Sequence, residues 1–312
     1  MRHPATLRRR ARHGHNGYYM PSAYMPRSLE SSMNISPPSF SLLDLVIEVP
    51  TPDPDAKNKA IARCTEAPTA YENWAPAVAS SGVSAPDTVM VPLSFDLQEA
   101  MLDGKDIPDE LQSNIDEIVK AVELMGAKHG FPVFIKTSFV SHKHDWVNTC
   151  CLGTADRETV IKHMENIVGF QGFSDYMVSP SLLIRQMLET DAEFHAFYGK
   201  MPVTQEFRFF ASKGKVEGYQ PYWPEGFIED ASVTDWAERL KKISTLGPRD
   251  QARLIDMAAN VTRRLEGEWS VDFLKDRHGK WWLIDMAEGA RSYRNDAEFI
   301  KVDQDVGIGL SR

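Results

Sequence analysis

The sequence predicts a fold of the α+β class, with antiparallel sheets and separate amphipathic helices. Three observations carry this expectation. Residues 268–293, EWSVDFLKDRHGKWWLIDMAEGARSY, read as two strands about a polar turn: Trp269, Val271 and Phe273 alternate with Ser270, Asp272 and Leu274, and Trp282, Ile284 and Met286 alternate with Trp281, Leu283 and Asp285. Gly279 can supply the positive φ that such a turn needs. A second hairpin is expected from QEFRFFA at 205–211 and KVEGYQPYW at 215–223, turning at Ser212–Gly214. Between these ribbons lie segments of helical period, the clearest being Leu111, Ile115, Ile118, Val119, Val122 and Met125.

The remaining elements follow in chain order. Residues 1–40 carry Arg8, Arg9, Arg10 and Arg12 ahead of a Pro-, Ser- and Asn-rich stretch, and are expected to be a poorly ordered basic arm. Ser41–Val49 is the first apolar run, entering the fold as helix or strand before a Pro-rich break at 50–55. Helices are expected at Ala56–Cys64 and Thr69–Trp74, a strand at Thr88–Pro92, and a helix at Phe95–Leu102. The long helix begins near Ile107, with Pro108 and acidic residues in its first turn, and ends by Gly126 and Gly130. Phe131–Thr137 reads as a strand, Ser138–Asp145 as a loop and Trp146–Leu152 as a returning strand. A helix over Asp156–Val168 is capped by Asp156 or Thr154. Ser181–Glu189 is a buried strand running into a connection, and Val233–Ile243 and Pro248–Leu265 are helices. The tail from Asn295 shows no motif, and the chain no internal repeat.

Composition bounds the function. The chain has 312 residues, 42% hydrophobic and 25% charged, enough for more than one domain with a sizeable core. A formal net charge of −9 argues against general nucleic-acid binding. No apolar run approaches a membrane span, and no apolar segment follows the basic N-terminus as a signal peptide would require. The three cysteines, Cys64, Cys150 and Cys151, have no metal-ligand spacing; they read as small buried hydrophobes of a reducing, cytoplasmic compartment.

Four groups of residues could carry chemistry. With the 268–293 hairpin turning at His278 and Gly279, Asp272 and Asp285 fall opposite each other, where Cβ atoms lie roughly 4.5–5.5 Å apart. Two carboxylates so placed repel unless a hard cation lies between them, and magnesium is commonly held by one or two carboxylates plus substrate phosphates. The alternative is that both acids face solvent. Glu288, Gly289, Arg291 and Ser292 continue this strand. Lys136 and Lys143 flank a flap containing Ser138, Ser141, His142 and His144, which suits a polyanion; the spacing is not that of a P-loop, and no third ligand accompanies the two histidines. Leu182–Glu189 offers backbone beside apolar side chains, as a flat base such as adenine would need, though a plain core strand has the same pattern. In QEFRFF, Glu206 and Arg208 share one strand face and can form an anion clamp or simply a structural pair. Tyr219, Tyr222, Trp223 and Trp236 form an aromatic group that reads chiefly as core.

Taken in order, VFIKTSFVSHKHDW, LLIRQMLE, EFRFFASKGKVEGYQPYW and WSVDFLKDRHGKWWLIDMAEG, spanning 131–293, resemble the ATP-grasp superfamily. They are similar to ATP-grasp domain proteins of actinobacteria and their phages and to the eukaryotic initiation-factor assembly chaperones. The resemblance implies two α+β lobes with antiparallel sheets enclosing a nucleotide cleft. It implies a central lobe with flap and hinge at 131–188 and a C-terminal lobe with the metal site at 189–312; an N-terminal lobe is expected at 41–130, which the resemblance does not cover. Lys136, Ser141 and Lys143 would contact ATP from the flap. Arg185, Gln186, Met187 and Leu188 would form the hinge at adenine, and Arg208 would reach the terminal phosphate. Asp272 and Asp285 would hold Mg2+, with Glu288 replacing the usual Asn, whose place is taken by Ala287. Arg208 and Arg291 would be catalytic, Arg291 holding the acceptor carboxylate.

The reaction so implied is ATP- and magnesium-dependent ligation. A carboxylate on a small molecule or peptide becomes an acyl phosphate and is attacked by an amine or similar nucleophile. An ATP-binding assembly factor for a protein partner is the alternative. A phosphotransferase acting on a hydroxyl is a third.

Overall fold

A computed structural model describes residues 55–174 and 178–303. The expected basic arm at 1–40 and the apolar run Ser41–Val49 lie outside these described residues. Helix α1 (Ala56–Glu66) leads into α2 (Tyr71–Ser81). The helix expected to stop at Trp74 instead continues through Pro76. Burial of Trp74, Ala77 and Val78 on one side outweighs the local preference to end before a proline, and Gly82, at φ 74°, closes it.

Strand β1 (Thr88–Pro92) is followed by α3 (Phe95–Leu102), whose cap Ser94 accepts a bond from the Leu97 N–H, and by α4 (Gln112–His129) after a short 3-10 turn. Then come β2 (Val133–Thr137), β3 (Cys151–Leu152), α5 (Arg157–Gln171) and β4 (Ser181–Arg185). Asp156 caps α5 by accepting from the Thr159 N–H. These strands form an antiparallel sheet in the order β1-β4-β2-β3. One face is covered by α4 and α5 through Ile115, Ile118, Val122, Ile135, Ile167, Leu182 and Ile184.

The strand expected over Trp146–Leu152 is reduced to its last two residues. Polar side chains hold the preceding segment in turns: the Thr149 hydroxyl donates to the carbonyls of His142 and Asp145, and the Asn148 amide to the Asp145 carboxylate. Such local bonds compete directly with a sheet ladder.

A two-stranded ribbon, β5 (Phe194–Ala196) and β6 (Met201–Val203), joined by the short α6 (Phe197–Lys200), had no counterpart in the sequence reading. Next are β7 (Glu206–Ser212), β8 (Lys215–Pro221), α7 (Trp236–Ile243), α8 (Pro248–Thr262), β9 (Trp269–Lys275), β10 (Trp281–Glu288) and β11 (Ile300–Lys301). The second sheet runs β10-β9-β7-β8-β11, all antiparallel. Phe207, Phe209, Val271, Phe273, Trp281 and Leu283 point from one face onto α8 residues Leu254, Ala258 and Val261, and Trp74 and Val78 of α2 join that core. The motif-free tail thus supplies an edge strand.

The β9–β10 hairpin reaches the expected register by an unexpected route. Asp272 does pair with Asp285, but Trp281 pairs with Lys275, one residue out of step. A five-residue turn, in which the Asp276 carboxylate accepts from the N–H groups of His278 and Lys280, replaces the two-residue tip; a bulge at Ile284 restores the offset. The bulge also turns the chain over. Trp281, Leu283 and Met286 all enter the core, leaving Ile284 and Asp285 together on the opposite face.

Candidate functional site: a charged cleft between the two sheets

The uncovered faces of the two sheets bound a cleft lined by residues of both. Alternation places Phe134 and Lys136 of β2 and Arg185 of β4 on one wall, against Glu206, Leu274, Ile284 and Asp285 on the other. The connection Gln186–Leu188 closes one end. Of the residues expected to hold nucleotide, Lys136, Ser141, Lys143, Arg185, Gln186, Met187 and Leu188 all line this one cleft. Arg208 and Asp272 lie under its floor.

Asp272 and Asp285, opposed on adjacent strands, each meet a cation. Both nitrogens on one edge of Arg208 donate to the two Asp272 oxygens at 2.8 Å. The Lys136 ammonium donates to Asp285 Oδ1 at 2.8 Å, crossing from the first sheet to the second. Lys143 pairs with Glu206 at 3.0 Å. Glu206 and Arg208 therefore share a strand face as expected, but they are not partners: the register sets Arg208 against Asp272, and the flap brings Lys143 to Glu206. Four cations and three carboxylates thus gather in a chain whose net charge is −9.

Burial sets the titration of these groups. It holds Lys136 below the ordinary lysine range, with Asp285 pulling the other way. For Lys143 and Arg208 burial also opposes the charge, but the facing carboxylates of Glu206 and Asp272 prevail and both stay cationic, raised above their ordinary values. The buried Arg185 is lowered by desolvation.

Arg185 has a second role. One of its terminal nitrogens donates to the Ile284 carbonyl at 2.7 Å and its Nε to the Thr88 hydroxyl, so it ties β4 to the bulge that turns Asp285 into the cleft. Its other terminal nitrogen and the Thr204 hydroxyl, both buried on the cleft wall, have no hydrogen-bond partner among the described residues. A polar ligand would satisfy them.

Of the two aspartates expected to hold magnesium, Asp285 is partly open to the cleft with one oxygen engaged, whereas both oxygens of Asp272 accept from Arg208; a magnesium ion here would depend on Asp285 and on ligand phosphates. Among the described residues no three His, Cys, Asp or Glu side chains gather as a metal cage. Glu288 does not join the aspartates: it is exposed and has the parity of Met286, on the opposite face of β10 from Asp285. Arg291 lies in the 3-10 turn after β10, exposed, and does not line the cleft.

Sequence reasoning missed Phe134, Trp146, Thr204 and Leu274 as lining residues and assigned Tyr222 to the core. Tyr222 could have been found: Gln220 pairs with Arg208, so alternation carries Tyr222 to the same face. Among the described residues no helix is long and apolar enough to cross a membrane. Cys64, Cys150 and Cys151 are free thiols, the first two buried.

No protein-family model matches the chain, and no curated protein matches its sequence. Solved structures do. Cdc123 from Schizosaccharomyces pombe matches at 14% identity and a TM-score of 0.44, over 74% of this chain and 85% of that one. D-alanine–D-alanine ligase from Bacillus anthracis, complexed with ATP, matches at 12% identity and a TM-score of 0.37, over 73% of this chain and 54% of the ligase. The ATP-grasp ligase PsnB, complexed with precursor peptide PsnA2 and AMPPNP, matches at 10% identity and a TM-score of 0.33, over 74% and 51%. The chain spans about half the length of the two ligases. The α+β class itself rests on the two antiparallel sheets and their helical layers.

Proposed function

We propose that the cleft takes ATP with magnesium, and that the protein is a ligase that activates a carboxylate as an acyl phosphate for attack by an amine or similar nucleophile. The observation that carries this reading is the convergence of Lys136, Lys143 and Arg208 with the opposed pair Asp272 and Asp285 in and beneath a cleft that apolar side chains also line. In this reading a purine would lie among the apolar lining residues Phe134, Met187, Leu188, Met201, Leu274 and Ile284. The backbone beyond Gln186 lies beside it. The triphosphate then runs toward the lysines.

Magnesium bound by Asp272 and Asp285 would neutralise phosphate charge. The protein's own part is positioning and charge stabilisation. Lys136 and Lys143 hold phosphate oxygens, and Arg208 meets the terminal phosphoryl group as the carboxylate oxygen attacks phosphorus and the bond to ADP breaks. The nucleophile then attacks the acyl carbon; the C–O bond to phosphate breaks, and inorganic phosphate leaves. The acceptor is a small molecule or peptide carrying a carboxylate. Three free thiols support a reducing, cytoplasmic setting.

Two observations favour the second reading, an ATP-binding assembly factor with little turnover. Ala287 stands where the resemblance places a further ligand, and Arg208 engages both oxygens of Asp272. Turnover separates the two. With ATP, magnesium and a pool of carboxylates and amines, the ligase reading expects ADP release that Asp272→Asn abolishes. Undiminished release from the folded variant would rule out the metal assignment. Tight ATP binding by the wild type with no ADP release would establish the second reading instead.

A further inference from the structure

Two of the cations in the cleft rest on one aromatic ring. The Lys143 ammonium lies 4.0 Å from the centroid of the Tyr222 ring, and the Arg208 guanidinium carbon 4.8 Å from the same centroid. Trp223, packed edge-on against Tyr222 with centroids 4.8 Å apart, is 4.9 Å from the Lys143 ammonium. Tyr222 is itself held in place. It lies just past the end of β8, and its N–H donates to the carbonyl of Glu206, the residue that pairs with Lys143. The two cations come from different parts of the fold, Lys143 from the flap and Arg208 from β7. Like charges brought so near would drift apart on their flexible stems. Carboxylates hold each one from a single side; the ring's negative face supplies the other attraction.

We propose that Tyr222 is a positioning residue: its ring fixes the separation of Lys143 and Arg208, so that a phosphate chain finds both cations already placed. The proposal rests on the nucleotide reading above, in that the phosphates are the anion the pair serves. It identifies a group that touches neither metal nor reacting atoms and acts through the two cations. A ring that only fills space would act through its shape alone. A ring that holds cations acts through its electron density, and the two can be told apart.

The experiment replaces Tyr222→Phe and then places one, two and three fluorine atoms on that ring, drawing density from its face with little change in shape. Two readouts are taken. The first is the rate at which Lys143 is reductively methylated in the ligand-free protein, followed by mass spectrometry. The second is the affinity for AMPPNP with magnesium. Both are expected to move stepwise with fluorination, Lys143 becoming more reactive and AMPPNP weaker by roughly tenfold across the series. Thermal melting of each variant shows that the fold is retained, and Tyr222→Leu gives the ringless limit where it folds. A flat response of Lys143 reactivity across the fluorinated series overturns the proposal. Wild-type protein that binds no AMPPNP, with Lys143 reactivity still tracking the ring, overturns the nucleotide reading and leaves the ring as the holder of the two cations.

Discussion

The Lys136–Asp285 pair should show two very different costs depending on which member is removed. The ammonium is 2% exposed and the carboxylate 37%. Removing one partner of a buried pair typically costs about 3–5 kcal/mol, because the other charge is left without water or counter-ion. Asp285→Ala leaves Lys136 in that position. The space vacated opens onto the cleft and admits some water, so a loss of about 2–3 kcal/mol is expected. Lys136→Met keeps most of the aliphatic stem in its packing and leaves an aspartate that solvent already reaches; its cost should stay within about 1 kcal/mol. Urea unfolding at matched pH measures both.

The pH dependence sharpens the test. Lys136 titrates below its ordinary 10.5 in the folded protein. Between the folded and unfolded values the unfolded chain binds more protons, so stability rises with pH through that window. Without Asp285 the folded value falls further and the window widens downward. The deficit of Asp285→Ala should therefore be greater toward neutral pH and shrink as pH rises, once Lys136 is neutral in the folded state of both proteins. Equal costs for the two variants, or a deficit that does not shrink with pH, would refute this reasoning.

Two further expectations follow from particular contacts. A Cβ added at Gly218 would lie 2.5 Å from the Ile300 carbonyl oxygen and closer still to the Phe299 ring. Gly218→Ala should displace β11 at a cost of about 1–3 kcal/mol, with proteolytic cleavage appearing within residues 295–303 while the rest of the sheet holds; an unchanged digestion pattern would count against it. Burial pushes the Cys150 thiol up to about 12 and also raises Cys64 and Cys151. The native protein at about pH 8 should therefore react with a thiol reagent far more slowly than the urea-unfolded chain, which exposes all three cysteines; comparable rates would contradict the burial.

What the sequence by itself determined is the local pattern. A strand's period of two is written in its own residues, so the two ribbons and the faces of β7 were legible, whereas the pairing of Asp272 with Asp285 was reached only through the bulge. The long helix and the Asp156 cap were legible for the same reason, being set within a few residues of chain. The tertiary structure decided everything that depends on distant partners. Pro76 sits inside a helix because the second sheet buries that helix. The bulge at Ile284 forms where Arg185, 99 residues away, supplies a donor to its carbonyl. Lys136 finds Asp285 across 149 residues, and Arg208 takes Asp272 rather than its own strand neighbour. A side-chain period records which face a residue occupies; what stands opposite that face depends on how the sheets close over one another, and no local pattern carries that information.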